Sequence, residues 1–135
     1  MHPTIARLTD VMNRHDAHEL TSLFSPEYRS EQPAHPNRGF GGADQVEANW
    51  TQMFAGVPDM RVECLASTVD GGTVWTEWRW TGTHTDGTSF AMAGVVLFGL
   101  TDDQRIGSAR LYMEPVEQDG ARIEEAVQQL AEPGH

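Results

Sequence analysis

The sequence predicts an α+β fold in which a cone-shaped, strongly curved antiparallel or mixed sheet wraps around N-terminal helices. Residues 1–57 are expected to be mainly helical, because their apolar residues recur at helical spacing. Residues 58–115 show alternating patterns separated by short turns, and residues 120–131 return to helical spacing. Helices followed by consecutive strands are typical of the α+β class. With 135 residues, we expect a single domain that spans residues 1–135.

Two short helices are expected first. Pro3 suits the first turn of a helix, and the apolar residues after it form one stripe. That stripe consists of Ile5, Leu8, Val11 and Met12. Asp16 and Glu19 have the spacing of a capping box, with Asp16 as the N-cap of a second helix. This helix is expected to end near Pro26 and to direct inward Leu20, Leu23 and Phe24.

A brief strand, a loop and a third helix are expected next. Residues 27–32 suit a strand, and residues 33–42 suit a loop because prolines and glycines interrupt any regular pattern there. The third helix begins near Ala43 and ends before Pro58. Its apolar face consists of Val46, Trp50, Met53 and Phe54.

The strands of the predicted sheet begin at residue 60, and the tryptophan-rich strand is their centre. Apolar and polar residues alternate over residues 60–66, and a glycine turn follows. The next strand contains Trp75, Trp78 and Trp80. We interpret these three tryptophans as alternate positions of an extended strand, which would place them on one side of the sheet.

Two further strands and a terminal helix complete the predicted fold. Asp86-Gly87 forms a tight turn into residues 89–100, which are apolar on both faces and are therefore expected to be covered on both. Residues 106–113 form the last strand. The helix at residues 120–131 has one apolar side, made of Ile123, Ala126, Val127 and Leu130.

The net charge and the cysteine content limit which partners and which cellular compartment we expect. Nine basic residues against twenty acidic ones give a net charge of -11 at pH 7, which repels nucleic acid and anionic membrane surfaces. Cys64 is the only cysteine, so no internal disulfide is possible; we interpret it as a core residue in a reducing compartment. No basic, apolar leader and no membrane-length apolar run is found, so we expect a cytoplasmic protein.

Four short motifs carry a family resemblance. They are Pro58-Asp59 before a strand, Asp70-Gly71-Gly72-Thr73-Val74, Thr81-Gly82-Thr83-His84-Thr85-Asp86-Gly87 and Arg110-Leu111-Tyr112-Met113-Glu114. With the order of the elements, they resemble the nuclear transport factor 2-like superfamily, and within it the SnoaL-like polyketide cyclases. Residues 13–24 are similar to the opening of ketosteroid isomerases. The resemblance implies a cone-shaped fold with a cavity at the open end of the sheet, a fold that hosts both enzymes and binders.

Two activities of the superfamily are disfavoured by the residues present. Ketosteroid isomerases remove a proton with an aspartate and hold the enolate with a tyrosine and a protonated aspartate. These positions correspond here to Gln32, Leu8 and Val96, and an amide and two hydrocarbon side chains cannot do either task. Limonene-type epoxide hydrolases carry an aspartate between an arginine and a tyrosine on the last strand, where this sequence has Leu111. Their arginine and aspartate on the central strand are replaced by Trp78 and Trp80.

Four residues are candidate catalytic groups under the cyclase resemblance. Glu114 stands in place of the acid at the end of the last strand and would act as a general base on an acidic C–H. His84, Tyr28 or Arg38 would polarise the oxygen of the substrate. The alternative for Glu114 is a structural role in cross-strand ion pairs on the outer face of the sheet, together with Glu77, Arg79 and Arg110.

The cavity is expected to be apolar and to suit a flat, hydrophobic molecule. Its predicted lining is Gln32, His35, Trp50, Phe54, Trp78, Trp80, Met92, Val96, Phe98, Leu111 and Met113. No pair of histidines has ligand spacing with a third partner, and no phosphate-cradling glycine loop precedes a helix, so neither a metal nor another cofactor is expected.

Three functions remain open. The first is a cofactor-independent acid/base enzyme of the cyclase or isomerase type that acts on a small apolar carbonyl compound. The second is a non-catalytic protein that binds a hydrophobic small molecule. The third is a dimeric interaction module that uses the outer face of the sheet. A homodimer formed through that face is expected.

Overall fold

The computed structural model describes residues 1–134, which form four α-helices and six β-strands. The helices are α1 (Pro3–Asn13), α2 (Ala17–Thr21), α3 (Ala43–Gly56) and α4 (Ile123–Ala131). The strands are β1 (Phe24–Glu31), β2 (Phe40–Gly41), β3 (Arg61–Asp70), β4 (Thr73–Thr83), β5 (Ser89–Leu100) and β6 (Ile106–Pro115). A turn of 3-10 helix, Pro36–Arg38, lies between β1 and β2.

The strands form one open sheet in the order β2-β1-β6-β5-β4-β3. Neighbouring strands are antiparallel except for β1 and β6, which run parallel. Short turns connect the four consecutive strands from β3 to β6, because antiparallel neighbours can be joined by tight hairpins. The chain reaches β6 from β1 only after α3 and four strands, β2 to β5, and this long connection permits the parallel pairing. The predicted α+β class with a mixed sheet is therefore confirmed.

The core lies between the inner face of the sheet and helices α1 to α3. The stripe predicted for α1 is buried in full: Ile5, Leu8, Val11 and Met12. Burial of each large apolar side chain contributes roughly 1.5–3 kcal/mol relative to an exposed one. On β4 the buried residues alternate with exposed ones, which puts Val74, Thr76, Trp78 and Trp80 on the inner face.

Two local predictions are wrong. Phe24 does not belong to α2; it opens β1 in register with Ile106. The backbone N–H of Ile106 donates to the carbonyl of Leu23 at 2.9 Å, so pairing with β6 replaces the helix at this point. Trp75 does not share a side with Trp78, because the two are three positions apart on an extended strand, and residues an odd number of positions apart point to opposite sides. The side chain of Trp75 is 45% exposed on the outer face.

The outer face of the sheet is uncovered in the part of the chain that the structure describes. The prediction that both faces of β5 are covered is therefore wrong for this face, where Ala93 is exposed and Val95 only half-buried. Leu97 is nevertheless buried, since it lies between Trp75 and Arg110 in register. Helix α4 has no buried residue and no extensive contact with the sheet. None of the helices within residues 1–134 has the length and apolar character that crossing a membrane requires.

Candidate ligand-binding site

A cavity of about 220 Å³ lies between the inner face of the sheet and helices α1 and α3. Seven of its lining side chains are aromatic: Phe24, Tyr28, Phe40, Trp50, Trp78, Trp80 and Phe98. The volume equals that of roughly seven water molecules at about 30 Å³ each. It is smaller than the ~300–1,000 Å³ of drug-sized pockets. The cavity therefore suits a molecule of one or two rings.

The spacing of residues explains how each element reaches the cavity. On and just after β1, alternation places Tyr28, Ser30 and Gln32 on the inner side. The lining residues of α3 recur at spacings of three and four, which is one helical face: Val46, Asn49, Trp50 and Met53. Trp78, on the inner face of β4, pairs in register with Gly94 of β5.

Four side chains with hydroxyl or amide groups line the cavity. Tyr28 and Ser30 are buried and form part of its floor, whereas Gln32 and Asn49 are partly exposed and lie at its mouth. Burial raises the pKa of the Tyr28 hydroxyl, and a hydrogen bond with the Ser30 side chain opposes part of that shift. Tyr28 is therefore a neutral donor and acceptor at physiological pH.

The two buried tryptophans of β4 satisfy their indole N–H groups differently. Nε1 of Trp78 donates to Oγ1 of Thr76 at 2.6 Å, and that hydroxyl donates to the carbonyl of Val96 at 2.7 Å. Nε1 of Trp80 is buried and has no hydrogen-bond partner within residues 1–134. The Trp80 ring meets Trp50 edge-to-face, with centroids 5.4 Å apart. Such a contact is weaker than a conventional hydrogen bond, so the buried N–H of Trp80 lowers the stability of the fold at this point.

Charged side chains do not line this cavity in the described part of the chain. The Glu114 side chain is 54% exposed, and its Oε1 lies 2.8 Å from Nε2 of His35. Glu114 is in register with Ala93 on the exposed outer face of the sheet and alternates with Met113, whose side chain is buried on the inner face. A carboxylate and an imidazole therefore meet outside the cavity, at the end of β6.

The other candidate catalytic residues are placed differently from one another. Tyr28 lines the cavity. Nη1 of Arg38 donates to Oε1 of Gln32 at 3.0 Å, so Arg38 contacts a lining residue and not the cavity itself. His84 is exposed at the turn between β4 and β5, and its ring packs edge-to-face on Phe90 with centroids 5.6 Å apart.

Most of the predicted lining residues do line the cavity. They are Gln32, Trp50, Trp78, Trp80, Met92, Val96, Phe98 and Leu111. Three do not: His35 bonds Glu114 outside the cavity, and Phe54 and Met113 are buried elsewhere in the core. Phe54 faces away because its ring stacks on His15, with centroids 4.5 Å apart.

Sequence reasoning missed several lining residues. Leu8 and Met12 were expected in the core, but the α1 stripe also faces the cavity. Ser30 has the same alternation as Tyr28 and Gln32, so its position was available from the sequence. Phe40 was hidden in the predicted loop, because nothing local indicates that β2 pairs with β1.

Charged groups away from the cavity form neither the expected ion pairs nor a metal centre. Within residues 1–134, no ion pair of 4.0 Å or less involves Glu77, Arg79 or Arg110, and Glu114 pairs with a histidine from the loop. The predicted cross-strand ion pairs are therefore not formed. The same residues contain no group of three or more His, Cys, Asp or Glu side chains that could hold a metal ion.

Comparison with known families gives one match. A family model described as SnoaL-like domain matches residues 5–108, which is most of the chain. None of the curated proteins matches this sequence.

Several solved structures share the fold. A putative SnoaL-like polyketide cyclase from Jannaschia sp. CCS1 is 24% identical, with a TM-score of 0.70 over 82% of this chain and 83% of its own. An epoxide hydrolase/cyclase-like enzyme of pyran ring formation in the polyether salinomycin is 17% identical, with a TM-score of 0.72 over 82% and 88%. A ketosteroid isomerase-like protein from Catenulispora acidiphila DSM 44928, solved in complex with trimethylamine, is 17% identical, with a TM-score of 0.71 over 82% and 84%. At these identities the likeness concerns the fold alone.

Proposed function

The chain belongs to the SnoaL-like domain family, and from that premise we propose that it binds one small, mostly apolar molecule in the aromatic cavity. The observation that carries the proposal is the lining, which combines seven aromatic rings with no charged side chain around about 220 Å³. Aromatic faces provide a large contact area for a flat ligand. An ionised carboxylate or phosphate would find no counter-charge among the lining residues.

The polar groups of the floor favour a ligand with a carbonyl oxygen. The hydroxyls of Tyr28 and Ser30 are buried in the apolar lining. They hydrogen-bond each other, which uses one of their two protons and leaves the other to donate. A carbonyl oxygen needs one or two donors and brings no charge into the cavity. A neutral hydrogen bond of this kind contributes about 0.5–1.5 kcal/mol, or roughly a factor of 2 to 12 in affinity.

Matched ligands test this proposal. Acetophenone and ethylbenzene have similar size, but only acetophenone carries the acceptor. We expect both to quench tryptophan fluorescence saturably and to raise the melting temperature, with acetophenone binding more tightly. Tyr28→Phe should lower that preference several-fold, because it removes one hydroxyl donor.

The chain contains a second tyrosine that serves as the control. Tyr112 lies on the outer face and is 44% exposed, so Tyr112→Phe should leave both affinities unchanged. If one- and two-ring ketones of this type give no saturable binding, the proposed ligand class is wrong. If the Tyr28 and Tyr112 variants behave alike, the proposed hydrogen bond from Tyr28 is wrong.

A proton-transfer enzyme is the second candidate function, and the His35–Glu114 pair favours it. A carboxylate oxygen 2.8 Å from an imidazole nitrogen holds the ring in one orientation. A ligand whose acidic C–H projects out of the cavity as far as the end of β6 would meet this pair. Glu114 would then act as the base directly or through His35, while Tyr28 polarises the carbonyl oxygen inside.

Hydrogen exchange separates the enzyme from the binder. Acetophenone has exchangeable methyl protons, and their replacement in D₂O is followed by NMR without any cofactor. An enzyme should accelerate the exchange, and Glu114→Gln should abolish the acceleration while acetophenone binding survives. Unchanged exchange with and without the protein supports the binder instead; equal acceleration by the variant removes Glu114 from the mechanism.

Trimethylamine is a useful second probe, because a solved structure with this fold holds it. The faces of aromatic rings attract ammonium groups, and the net charge of -11 draws cations towards the protein. Comparison with tert-butyl alcohol, which has a similar shape without the charge, would measure this attraction. Tighter binding of trimethylammonium than of the alcohol would place small alkylammonium ions in the ligand class of the cavity.

The outer face of the sheet supports a further part of the proposal, a cytoplasmic homodimer. Trp75 and Tyr112 expose nearly half of their side chains on this uncovered face. Large apolar residues grouped on one exposed surface are typical of interaction sites. The single cysteine is consistent with a reducing compartment.

A further inference from the structure

The apolar side of α4 has no partner within residues 1–134. Ile123, Val127 and Leu130 are spaced by four and three residues, so they form one stripe. Their side chains are 71%, 54% and 73% exposed. A helix of nine residues is too short to be stable in water by itself, because packing of its apolar face supplies most of the stability of a short helix. The stripe therefore requires a surface that its own chain does not provide.

A surface of matching character lies on the uncovered face of the sheet. We define the outer patch as Arg29, Trp75, Val95, Leu97, Arg110 and Tyr112. Trp75, Leu97 and Arg110 follow one another across β4, β5 and β6 in register. A cleft of about 280 Å³ lies beside Leu97, and its lining includes Arg29, Arg110 and Glu31, which pairs in register with Arg110. The outer patch is thus apolar and has two arginines and the neighbouring Glu31 along one side.

The charges of the two surfaces are complementary. Residues 116–134 contain one basic residue, Arg122, and five acidic ones, which are Glu117, Asp119, Glu124, Glu125 and Glu132. Arg29 and Arg110 have no carboxylate oxygen within 4.0 Å in the described chain, although acidic residues outnumber basic ones by twenty to nine. An acidic amphipathic helix would give these two guanidinium groups partners while its stripe covers the apolar part of the patch.

The dimensions also agree. Nine residues of α-helix are about 13.5 Å long at about 1.5 Å per residue. The outer patch extends from β4 to β1, which is three strand spacings of about 4.8 Å, or about 14 Å. Helix α4 can therefore span the patch from Trp75 to Arg29.

We infer that α4 of one protomer docks on the outer patch of a second copy of this chain, and that the two copies exchange helices symmetrically. The inference rests on the homodimer proposed above and specifies what holds it together. Each interface would contain two equivalent helix-on-sheet contacts, since a two-fold axis presents the same surfaces twice. The ligand cavity opens on the inner side and is not part of this contact.

Sedimentation equilibrium of single variants tests the inference. Val127→Glu places a charge in the middle of the stripe and should raise the dimer dissociation constant at least tenfold. Gln128→Glu adds the same charge to the polar side of α4 and should leave the dissociation constant unchanged. The combined change Arg29→Glu and Arg110→Glu should weaken the dimer as Val127→Glu does. Arg61→Glu, on the same face but outside the patch, should not.

The outcomes distinguish the inference from the proposal on which it rests. A wild-type protein that stays monomeric at high concentration overturns both. A dimer that Val127→Glu leaves intact overturns the inference alone and keeps a dimer formed by other parts of the sheet. Misfolding is detected independently, because α4 has no extensive contact with the sheet and the variants should retain the wild-type melting temperature when diluted to monomers.

Discussion

At the scale of single residues, Thr76 is the polar centre of an otherwise apolar sheet face. Its hydroxyl accepts from the Trp78 indole and donates to the Val96 carbonyl, and the residue is 2% exposed. Thr76→Val keeps the shape but leaves the buried Trp78 N–H without an acceptor. We expect the free energy of unfolding to fall by about 1–3 kcal/mol, measured by urea denaturation.

The same strand offers the control for that prediction. Thr81→Val makes the identical chemical change at an exposed position of β4 and should alter stability by no more than about 0.5 kcal/mol. Within residues 1–134, Trp80 has no partner for its indole nitrogen. Trp80→Phe should therefore cost less than Trp78→Phe, and the opposite order would contradict this account of the two rings.

Tyr28 gives the protein a pH dependence at alkaline pH. Burial raises the pKa of its hydroxyl above the ordinary value of 10.0, because the charged phenolate is disfavoured in the apolar floor. Below pH 10 both the folded and the unfolded chain keep the proton. As the pH rises further, the unfolded chain loses it first, so stability falls between the unfolded and the folded pKa.

Absorbance at the phenolate band measures this shift directly. Tyr28 is the only tyrosine in the Tyr112→Phe variant, since the chain has two. Its titration should occur at a higher pH in the folded variant than in the same variant unfolded by guanidinium chloride. Coincident curves would show that the hydroxyl is not buried as the structure has it.

The sequence predicts which way a side chain faces where its position along a single strand or helix determines this. Counting by two places Tyr28 and Gln32 correctly on one side, and counting correctly would also have placed Trp75 on the other. The contact between His35 and Glu114 joins residues 79 positions apart, so it depends on how the loop after β1 lies beside β6. No local pattern contains that information.

At the scale of elements, Gly94 sets how closely β5 and β6 approach. A Cβ atom at this position would overlap the backbone carbonyl oxygen of Tyr112 on β6, and backbone cannot move aside as a flexible side chain can. We expect Gly94→Ala to lower the free energy of unfolding by about 2–4 kcal/mol, measured by urea denaturation.

A second glycine provides the comparison. Gly56 closes α3, and a Cβ there would meet nothing within 4 Å. Gly56→Ala should stabilise the protein by about 0.5–1 kcal/mol, because alanine loses less conformational entropy in a helix. A mild effect of Gly94→Ala, similar in size to that of Gly56→Ala, would show that the sheet adapts to the extra methyl group.

Helices and antiparallel strands were largely predictable, whereas long-range pairing was not. The N-cap at Asp16 forms as expected, since its carboxylate accepts from the Glu19 N–H at 2.9 Å. The second half of the capping box is absent from the described structure, because the Glu19 carboxylate bonds Arg7 and Arg14 instead. Likewise, β1 begins at Phe24 only because β6 lies beside it. These outcomes depend on neighbours distant in sequence, which local periodicity does not encode.

At the scale of the whole molecule, the net charge of -11 opposes the folded state at pH 7, because folding brings like charges together. Only a few ion pairs offset it, and those with arginine lie at the surface, where such pairs contribute little. Raising NaCl from about 0.01 M to about 0.15 M shortens the screening length from about 30 Å to about 8 Å. We therefore expect the melting temperature to rise by several degrees over this range.

The control for this salt effect is pH, because near pH 4.7 the net charge is close to zero and salt has little repulsion to screen. The two curves should be measured at a protein concentration low enough to dissociate the proposed dimer, since salt also weakens contacts between acidic residues and arginines. A melting temperature at pH 7 that falls with salt would mean that specific ion pairs, and not overall repulsion, dominate the electrostatics of the fold. In that event Arg29 and Arg110 of the outer patch would be the first residues to substitute. Ion pairs between arginines and carboxylates would then contribute more to the stability of the fold than the net charge takes from it.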